Sequence, residues 1–292
     1  MRLGITMFAT DQTMPPHELA IAVEERGFSS LYLPEHTHIP TSRLTPSAAT
    51  LATSGVGASG FLRGTSGDET LSESYARTLD PFVSLAMAAS VTSTLTLGTG
   101  VALLAQREPI GTAKAVATLQ HLSGGRFVLG AGYGWNVEEA ADHGVVWHER
   151  RALVGERIAA MRALWRDEVA AYKGAHVALS PSWAWPKADV PVLLGGGGGP
   201  KLFAAIAAHG DGWLPIGGAG IAEALPRLAA AYEAAGRDPE TAVVIPFGSL
   251  PTPGKLARFA ELGIRETVLR VTSGTRDAVL RELDAHTGFL AS

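Results

Sequence analysis

The chain has 292 residues, 24 basic against 28 acidic side chains for a formal net charge of −4, and 46% hydrophobic residues. That hydrophobic fraction is ample for a buried core, and no basic stretch is present to lay down a nucleic-acid footprint. With no cysteine in the sequence, disulfides, thiolate metal sites and a cysteine nucleophile are excluded. The apolar opening Met1–Phe8 stops at Asp11, too short for a signal-peptide core, and no apolar run reaches the roughly 18 residues that span a bilayer. The expectation is one domain over residues 1–292, cytoplasmic, acting on a small molecule, with neither nucleic acid nor membrane as partner.

In chain order, short aliphatic or β-branched runs alternate with longer segments of helical period. Strands are predicted at Leu3–Phe8, Ser30–Pro34, Leu95–Val101, Arg126–Ala131, Pro191–Gly195, Gly212–Ile216, Val243–Phe247 and Thr267–Val271. Helices are predicted at Pro16–Arg26, which opens on proline and closes at Gly27, at Pro81–Val91, and from Pro109 to Gly124-Gly125. A further helix spans Glu149–Trp165, with Val154, Ile158, Met161 and Trp165 on one stripe, and others follow at 200–209, 221–235, 254–262 and 275–290. Near-continuous apolar strands, each followed by a helix, predict a parallel (β/α)8 barrel. Two insertions break the rhythm after strands 2 and 4, at residues 41–79 and 167–190. Both are read as leaving the carboxyl end of a strand, where barrel enzymes keep their active sites, and both are read as lids.

The strand ends carry the candidate chemistry. Glu35, His36 and His38 form an acid-plus-imidazole cluster after strand 2. A His-x-His metal pair needs further ligands at later strand ends, and the remaining histidines fall in helices, helix ends or insertions, so no metal is expected. A histidine polarising or protonating a cofactor or substrate is the functional reading, and a hydrogen-bonded loop histidine is the bland one. Gly195–Gly199, ahead of a helix opening at Pro200, lets backbone N–H groups approach an anion at a positive helix end. Gly130-Ala131-Gly132-Tyr133-Gly134-Trp135 fails the dinucleotide fingerprint at its sixth position, but its glycines permit a flat ligand against bare backbone. Glu138-Glu139 and Asp142-His143 read as a solvated helix face rather than an acid–base dyad. Trp135 and Trp213, at strand ends, are candidates for lining a pocket.

Together these segments resemble the bacterial luciferase-like family, in particular its F420-dependent oxidoreductases. The resemblance rests on Tyr32-Leu33-Pro34-Glu35-His36, Leu97–Val101, Lys114–Leu119, Leu122–Trp135 with its Leu-Ser-Gly-Gly-Arg-Phe and Gly-x-Gly-x-Gly-Trp runs, Gly195–Lys201 and Gly210–Pro215. It implies a bulge, often with a non-proline cis peptide, at Thr99, Gly100 and Val101 behind the deazaflavin ring. It also implies a ring lined by Gly132, Tyr133, Gly134 and Glu138, with the cofactor phosphate at Gly196, Gly197, Gly198 and Gly199. His36 falls where relatives carry a histidine near the reactive carbon, so His36 and Glu35 are the expected catalytic residues. Trp135 replaces the proton-donating glutamate of a sugar-phosphate dehydrogenase in this family, and Pro40 replaces its tryptophan, which argues against a sugar phosphate. The resemblance implies coenzyme F420 as cofactor with FMN as the alternative, hydride transfer with a flavin monooxygenase as the alternative, and a homodimer. A non-redox barrel hydrolase is the different-class alternative.

Overall fold

The computed structural model describes residues 1–41, 45 and 71–290. The strands are β1 (Arg2–Thr6), β2 (Ser30–Leu33), β3 (Thr96–Thr99), β4 (Ala102–Leu103), β5 (Phe127–Gly132), β6 (Ala170–Lys173), β7 (Ala178–Ser182), β8 (Val192–Gly195), β9 (Gly212–Leu214), β10 (Val243–Val244), β11 (Phe247–Ser249) and β12 (Glu266–Arg270). The helices are α1 (Pro16–Glu25), α2 (Glu73–Ala76), α3 (Pro81–Val91), α4 (Pro109–Leu122), α5 (Val137–Asp142), α6 (Arg150–Arg166), α7 (Pro200–His209), α8 (Ile221–Ala234), α9 (Pro253–Glu261) and α10 (Arg276–Thr287).

Neighbouring strands run in the order β10, β9, β8, β5, β3, β2, β1, β12, β11, and the pairs along this path are parallel. β10 and β11 are two pieces of one strand position. Ile245 N–H donates to Trp213 O at 3.0 Å on one side and Val268 N–H donates to Pro246 O at 2.8 Å on the other, which closes the ring. β4 resumes the position of β3 beyond a break and pairs with β5. The (β/α)8 architecture expected from the alternation is therefore present.

Two apolar layers hold it. Inside the ring, Tyr32, Leu193, Leu214, Ile245 and Val268 pack together, with Val101, Val128 and Phe247 against them. Outside, the opposite faces of the strands pack on the helices, for example Leu97, Phe127, Leu129 and Val192 against Leu85, Val116, Ile158 and Phe203. Burial on both faces is why the strands read as continuous apolar runs. Tyr32 fits the ring only because its neighbour lacks a side chain: a Cβ on Gly98 would lie 2.2 Å from the Tyr32 ring.

The Leu-Ser-Gly-Gly-Arg-Phe run is a joint between helices. Ser123 ends α4, and Gly124 and Gly125 turn the chain at φ +68° and +86°, a region glycine enters without steric cost. Arg126 then donates to the carbonyls of Ala89, Thr92 and Leu95 at 3.1, 2.9 and 2.8 Å and to Ser123 O at 2.7 Å. Its guanidinium thus satisfies carbonyls at the end of α3 that helix geometry leaves without partners.

The insertions differ from expectation. Most of 41–79, including any lid there, lies outside the described residues. Its returning end carries α2, tied to the loop after β1 by Leu79 N–H donating to Ala9 O at 2.9 Å and by an Arg77–Asp11 ion pair at 2.8 Å. The insertion at 167–190 falls in the fourth βα unit, but it follows helix α6 rather than the carboxyl end of a strand. It forms the antiparallel β6–β7 hairpin, which lies outside the barrel along α4 and α6. Lys114 Nζ bonds Trp185 O, Gln120 donates to Asp189 O at 2.7 Å, and Glu156 accepts the N–H groups of Ala175, His176 and Val177 at 2.7–2.9 Å. It is an outer brace and not a lid.

Gly98→Ala forces a methyl into the Tyr32 ring and is expected to destabilise the fold by about 1–3 kcal/mol. Gly254→Ala, in the first turn of α9 with no neighbouring atom within 4 Å, is expected to stabilise by about 0.4–1 kcal/mol. Urea denaturation of the two variants beside the parent protein measures both.

Candidate active site

In the strand order, β2, β3 with β4, β5 and β8 are consecutive, so the segments following them line one arc of the barrel mouth. That arc holds Glu35-His36, Thr99–Val101, Gly132–Gly134 and Gly195–Gly199.

Glu35 is buried, and both of its oxygens are committed. One accepts Leu103 N–H at 2.7 Å, and the other accepts Arg107 Nε–H at 2.6 Å. Arg107 continues to Asp80 at 2.6 Å, and Asp80 caps α3 by accepting the N–H groups of Phe82 and Val83 at 2.9 and 3.0 Å. Burial alone would raise the Asp80 carboxyl, but the Val83 N–H and Arg107 outweigh it and hold the group below its ordinary value. Glu35 therefore fixes the resumed strand β4 and the start of α3, which is the geometry of a positioning residue.

His36, 8% exposed, turns the other way. Its Nδ1 lies 2.9 Å from Glu139 Oε2, and Glu139 is 0% exposed. Glu139 also accepts Thr37 N–H at 3.2 Å. Trp135 Nε1–H donates to His36 Nε2 at 3.2 Å. These partners assign the proton to Nδ1 and leave Nε2 an acceptor. The sequence pattern puts Glu139 on a solvated face, and the structure corrects that. The correction follows from α5, a short helix that the periodicity does not predict. Asn136 caps α5, its Oδ1 accepting the N–H groups of Glu138 and Glu139 at 3.1 Å, and this turns the third helical residue inward. The Asn-x-x-Glu spacing of a helix start is the signal that could have found it.

Aromatic rings close over the imidazole. Trp135 and Tyr75 lie 5.6 and 5.2 Å from the His36 ring, and they meet each other edge-on at 6.1 Å. Tyr75 comes from α2, so the returning end of the first insertion contributes to the site. Burial raises its phenol against the opposing charge of Arg270. On the exposed rim, His38 pairs with Asp142 at 2.9 Å, and Thr37 Oγ1 bonds His143 at 2.8 Å. Among the described residues no group of three or more His, Asp or Glu side chains is placed to hold a metal ion.

The floor of the arc is Val101. The Gly100–Val101 peptide is cis, at the position where the resemblance implied a bulge. Cβ atoms on Gly132 and Gly195 would lie 2.4 and 2.8 Å from the Val101 methyls. Gly132 is thus glycine because a side chain there would displace Val101. Thr99 Oγ1 donates to Gly130 O at 2.7 Å beneath this layer. Tyr133 is buried under the Arg151 guanidinium at 4.7 Å, and burial raises its phenol against that charge. Gly134 turns at φ +78°. Glu138 accepts from Thr45 Oγ1 at 2.7 Å.

The glycine run is supported from below and open above. Trp213 Nε1–H donates to Gly196 O at 2.8 Å, and a Cβ on Gly198 would lie 2.9 Å from the Trp213 ring. Trp213 is buried and supports the run rather than lining a pocket. A Cβ on Gly197 would meet no atom within 4 Å, and Gly199 begins α7 with no side-chain cap.

Removing the Glu35 carboxylate leaves Arg107 and the Leu103 N–H without it. Glu35→Ala is expected to cost about 3–5 kcal/mol of stability, read as a lowered urea midpoint. A value near zero would contradict the positioning role.

Known proteins resemble this chain in sequence or in fold. An uncharacterized protein of Mycobacterium tuberculosis is 41% identical over 282 residues, covering 95% of this chain and 94% of that one. The F420-dependent hydroxymycolic acid dehydrogenase of M. tuberculosis is 32% identical over 167 residues, covering 55% of this chain and 46% of that protein. The crystal structure of the monooxygenase RslO1 from Streptomyces bottropensis superposes with a TM-score of 0.71 at 19% identity, covering 100% and 99% of the two chains. The family described as luciferase-like monooxygenase matches residues 15–250. The chain belongs to the luciferase-like monooxygenase family.

Proposed function

We propose that this protein is an F420-dependent oxidoreductase that moves a hydride between the deazaflavin and the carbinol or carbonyl carbon of a small organic substrate. The observation that carries this reading is the buried His36–Glu139 pair with Nε2 left as an acceptor. A neutral imidazole so held is a base for a substrate hydroxyl, and the carboxylate at Nδ1 stabilises the imidazolium that results. In the reverse direction the same imidazolium returns the proton to a carbonyl oxygen. The relative named as a hydroxymycolic acid dehydrogenase supports this chemistry.

The residues present fit a flat cofactor with a phosphate. Val101 offers an apolar floor between β5 and β8, while Thr99 and Gly100 fix its height. Gly132, Tyr133, Gly134 and Glu138 would border the ring, and Gly196–Gly199 with the uncapped start of α7 would take the phosphate. When bound, the deazaflavin supplies the hydride-accepting carbon. Binding energy from the glycine run orients that carbon. Tyr75 and Trp135 exclude water from His36, and a substrate hydroxyl takes over the place of the Trp135 indole N–H at Nε2. Glu35 keeps β4 in register and does no chemistry. Among the described residues no helix is long and apolar enough to cross a membrane, and the enzyme is read as acting on dissolved small molecules.

The likeness to RslO1 favours a second reading, an FMN-dependent monooxygenase with the same arc and the same histidine. Titration of the purified protein with coenzyme F420 and with FMN, followed by Trp and cofactor fluorescence, separates the two. Submicromolar F420 binding, weak FMN binding and bleaching of F420 by secondary alcohols are the expected results. Glu139→Gln is expected to lower kcat by roughly 10²–10⁴-fold while F420 affinity changes only a few-fold. Tight FMN binding with weak F420 binding selects the monooxygenase, and binding of neither returns the non-redox hydrolase.

A further inference from the structure

Buried polar side-chain atoms almost always have hydrogen-bond partners, and one left without is costly. Among the described residues the buried atoms without a partner are His17 Nδ1, Gln106 Nε2 and Oε1, Asn136 Nδ2, Arg150 Nε, Arg157 Nε and Tyr232 Oη. His17 and Tyr232 lie on α1 and α8, away from the arc. The rest gather where β4 and β5 end.

Gln106 is the strongest case. It follows β4 by three residues, directly before the Arg107 that Glu35 holds, and it is 8% exposed with both amide atoms unpartnered. A Cβ on Gly134 would lie 3.5 Å from Gln106 Nε2, so the amide stands beside the loop that borders the ring site. Asn136 lies two residues after Gly134 in that loop. Its Oδ1 is used in capping α5, and its Nδ2 has no partner. Arg157 reaches the same connection by donating to Leu104 O at 2.6 Å. One buried amide beside Gly134 and another two residues after it thus leave two N–H donor groups and one carbonyl acceptor unused.

We infer that Gln106 is a recognition residue for the cofactor ring. Its Nε2–H donates to a ring carbonyl and its Oε1 accepts from the adjacent ring N–H, while Asn136 Nδ2 supplies a further donor. Deazaflavins and flavins both carry a pyrimidinedione whose C=O and N–H groups alternate along one edge, and a primary amide matches that edge in a two-point contact. The inference rests on the reading of the arc as a deazaflavin or flavin site, and it holds for either cofactor. It orients the ring with its polar edge toward the end of β5 and the connection after β4. The opposite assignment, a structural amide, requires partners within the protein, and among the described residues the Gln106 side-chain amide has none.

The test is Gln106→Met, which keeps the length and removes both polar atoms, with Gln106→Leu as a second variant. Thermal unfolding of the cofactor-free protein and affinity for F420 and for FMN are measured on each beside the parent. The expected result is an unchanged or raised melting temperature together with affinity weakened roughly 10–100-fold for the cofactor that the parent protein binds. A lowered melting temperature in both variants, or unchanged affinity in a variant that folds, overturns the inference. Failure of the parent to bind either cofactor refutes the functional reading instead, so the two failures are distinguishable.

Discussion

The site hangs on the break in the third strand. β3 stops at Thr99, the chain passes through Gly100 and Val101, and β4 resumes against β5. Val101 then fills the space that Gly132 and Gly195 leave open on the neighbouring strand ends, capping the apolar interior built on Tyr32, Leu193, Leu214, Ile245 and Val268. Close packing leaves little tolerance here, since one added methyl on either glycine meets Val101. The chain from buried Glu35 through half-buried Arg107 to exposed Asp80 holds the far side of the break and ties it to the first turn of α3. In the proposed reading stability and function meet at one place, since Val101, the floor proposed for the site, is also the lid of the barrel core.

Chemistry is added from elements that do not contribute to this floor. Glu139 reaches His36 from α5, and Trp135 reaches its other nitrogen from the loop before that helix. Tyr75 arrives from the end of the first insertion, anchored to the loop after β1. A histidine with both ring nitrogens engaged is held in one tautomer and one orientation, which is what a proton-transfer group requires before substrate arrives. The division of labour between Glu35 and Glu139 is equally clear. Two buried carboxylates lie near His36 in sequence or in space, and only Glu139 touches the imidazole.

Much of this architecture is legible in the chain. Parallel strands buried on both faces leave continuous apolar runs, and helices starting at Pro16, Pro81, Pro109 and Pro200 announce themselves by proline at the first helical position. The strand-end segments fall together on one arc because a barrel places successive strand ends side by side. Tertiary pairings are not legible. His36 and Glu139 are 103 residues apart, and Glu138-Glu139 has the composition of an exposed helix start. Gly132 looks like room for a ligand because sequence does not show that Val101 occupies it. The β6–β7 hairpin escapes the periodicity because its outward residues are polar or small and its support comes from Glu156, Lys114 and Gln120 on other elements.

In the proposed mechanism His36 is a base whose proton sits on Nδ1, as its partners Glu139 and Trp135 assign it. Nitrogen-15 NMR of histidine-labelled protein, with His36 assigned among the nine histidines by a His36→Gln variant, reads this directly. The expected spectrum shows a protonated Nδ1 and an unprotonated Nε2 at neutral pH, and loss of that fixed tautomer in Glu139→Gln. An Nε2-protonated ring, or two tautomers in exchange in the parent protein, would contradict it.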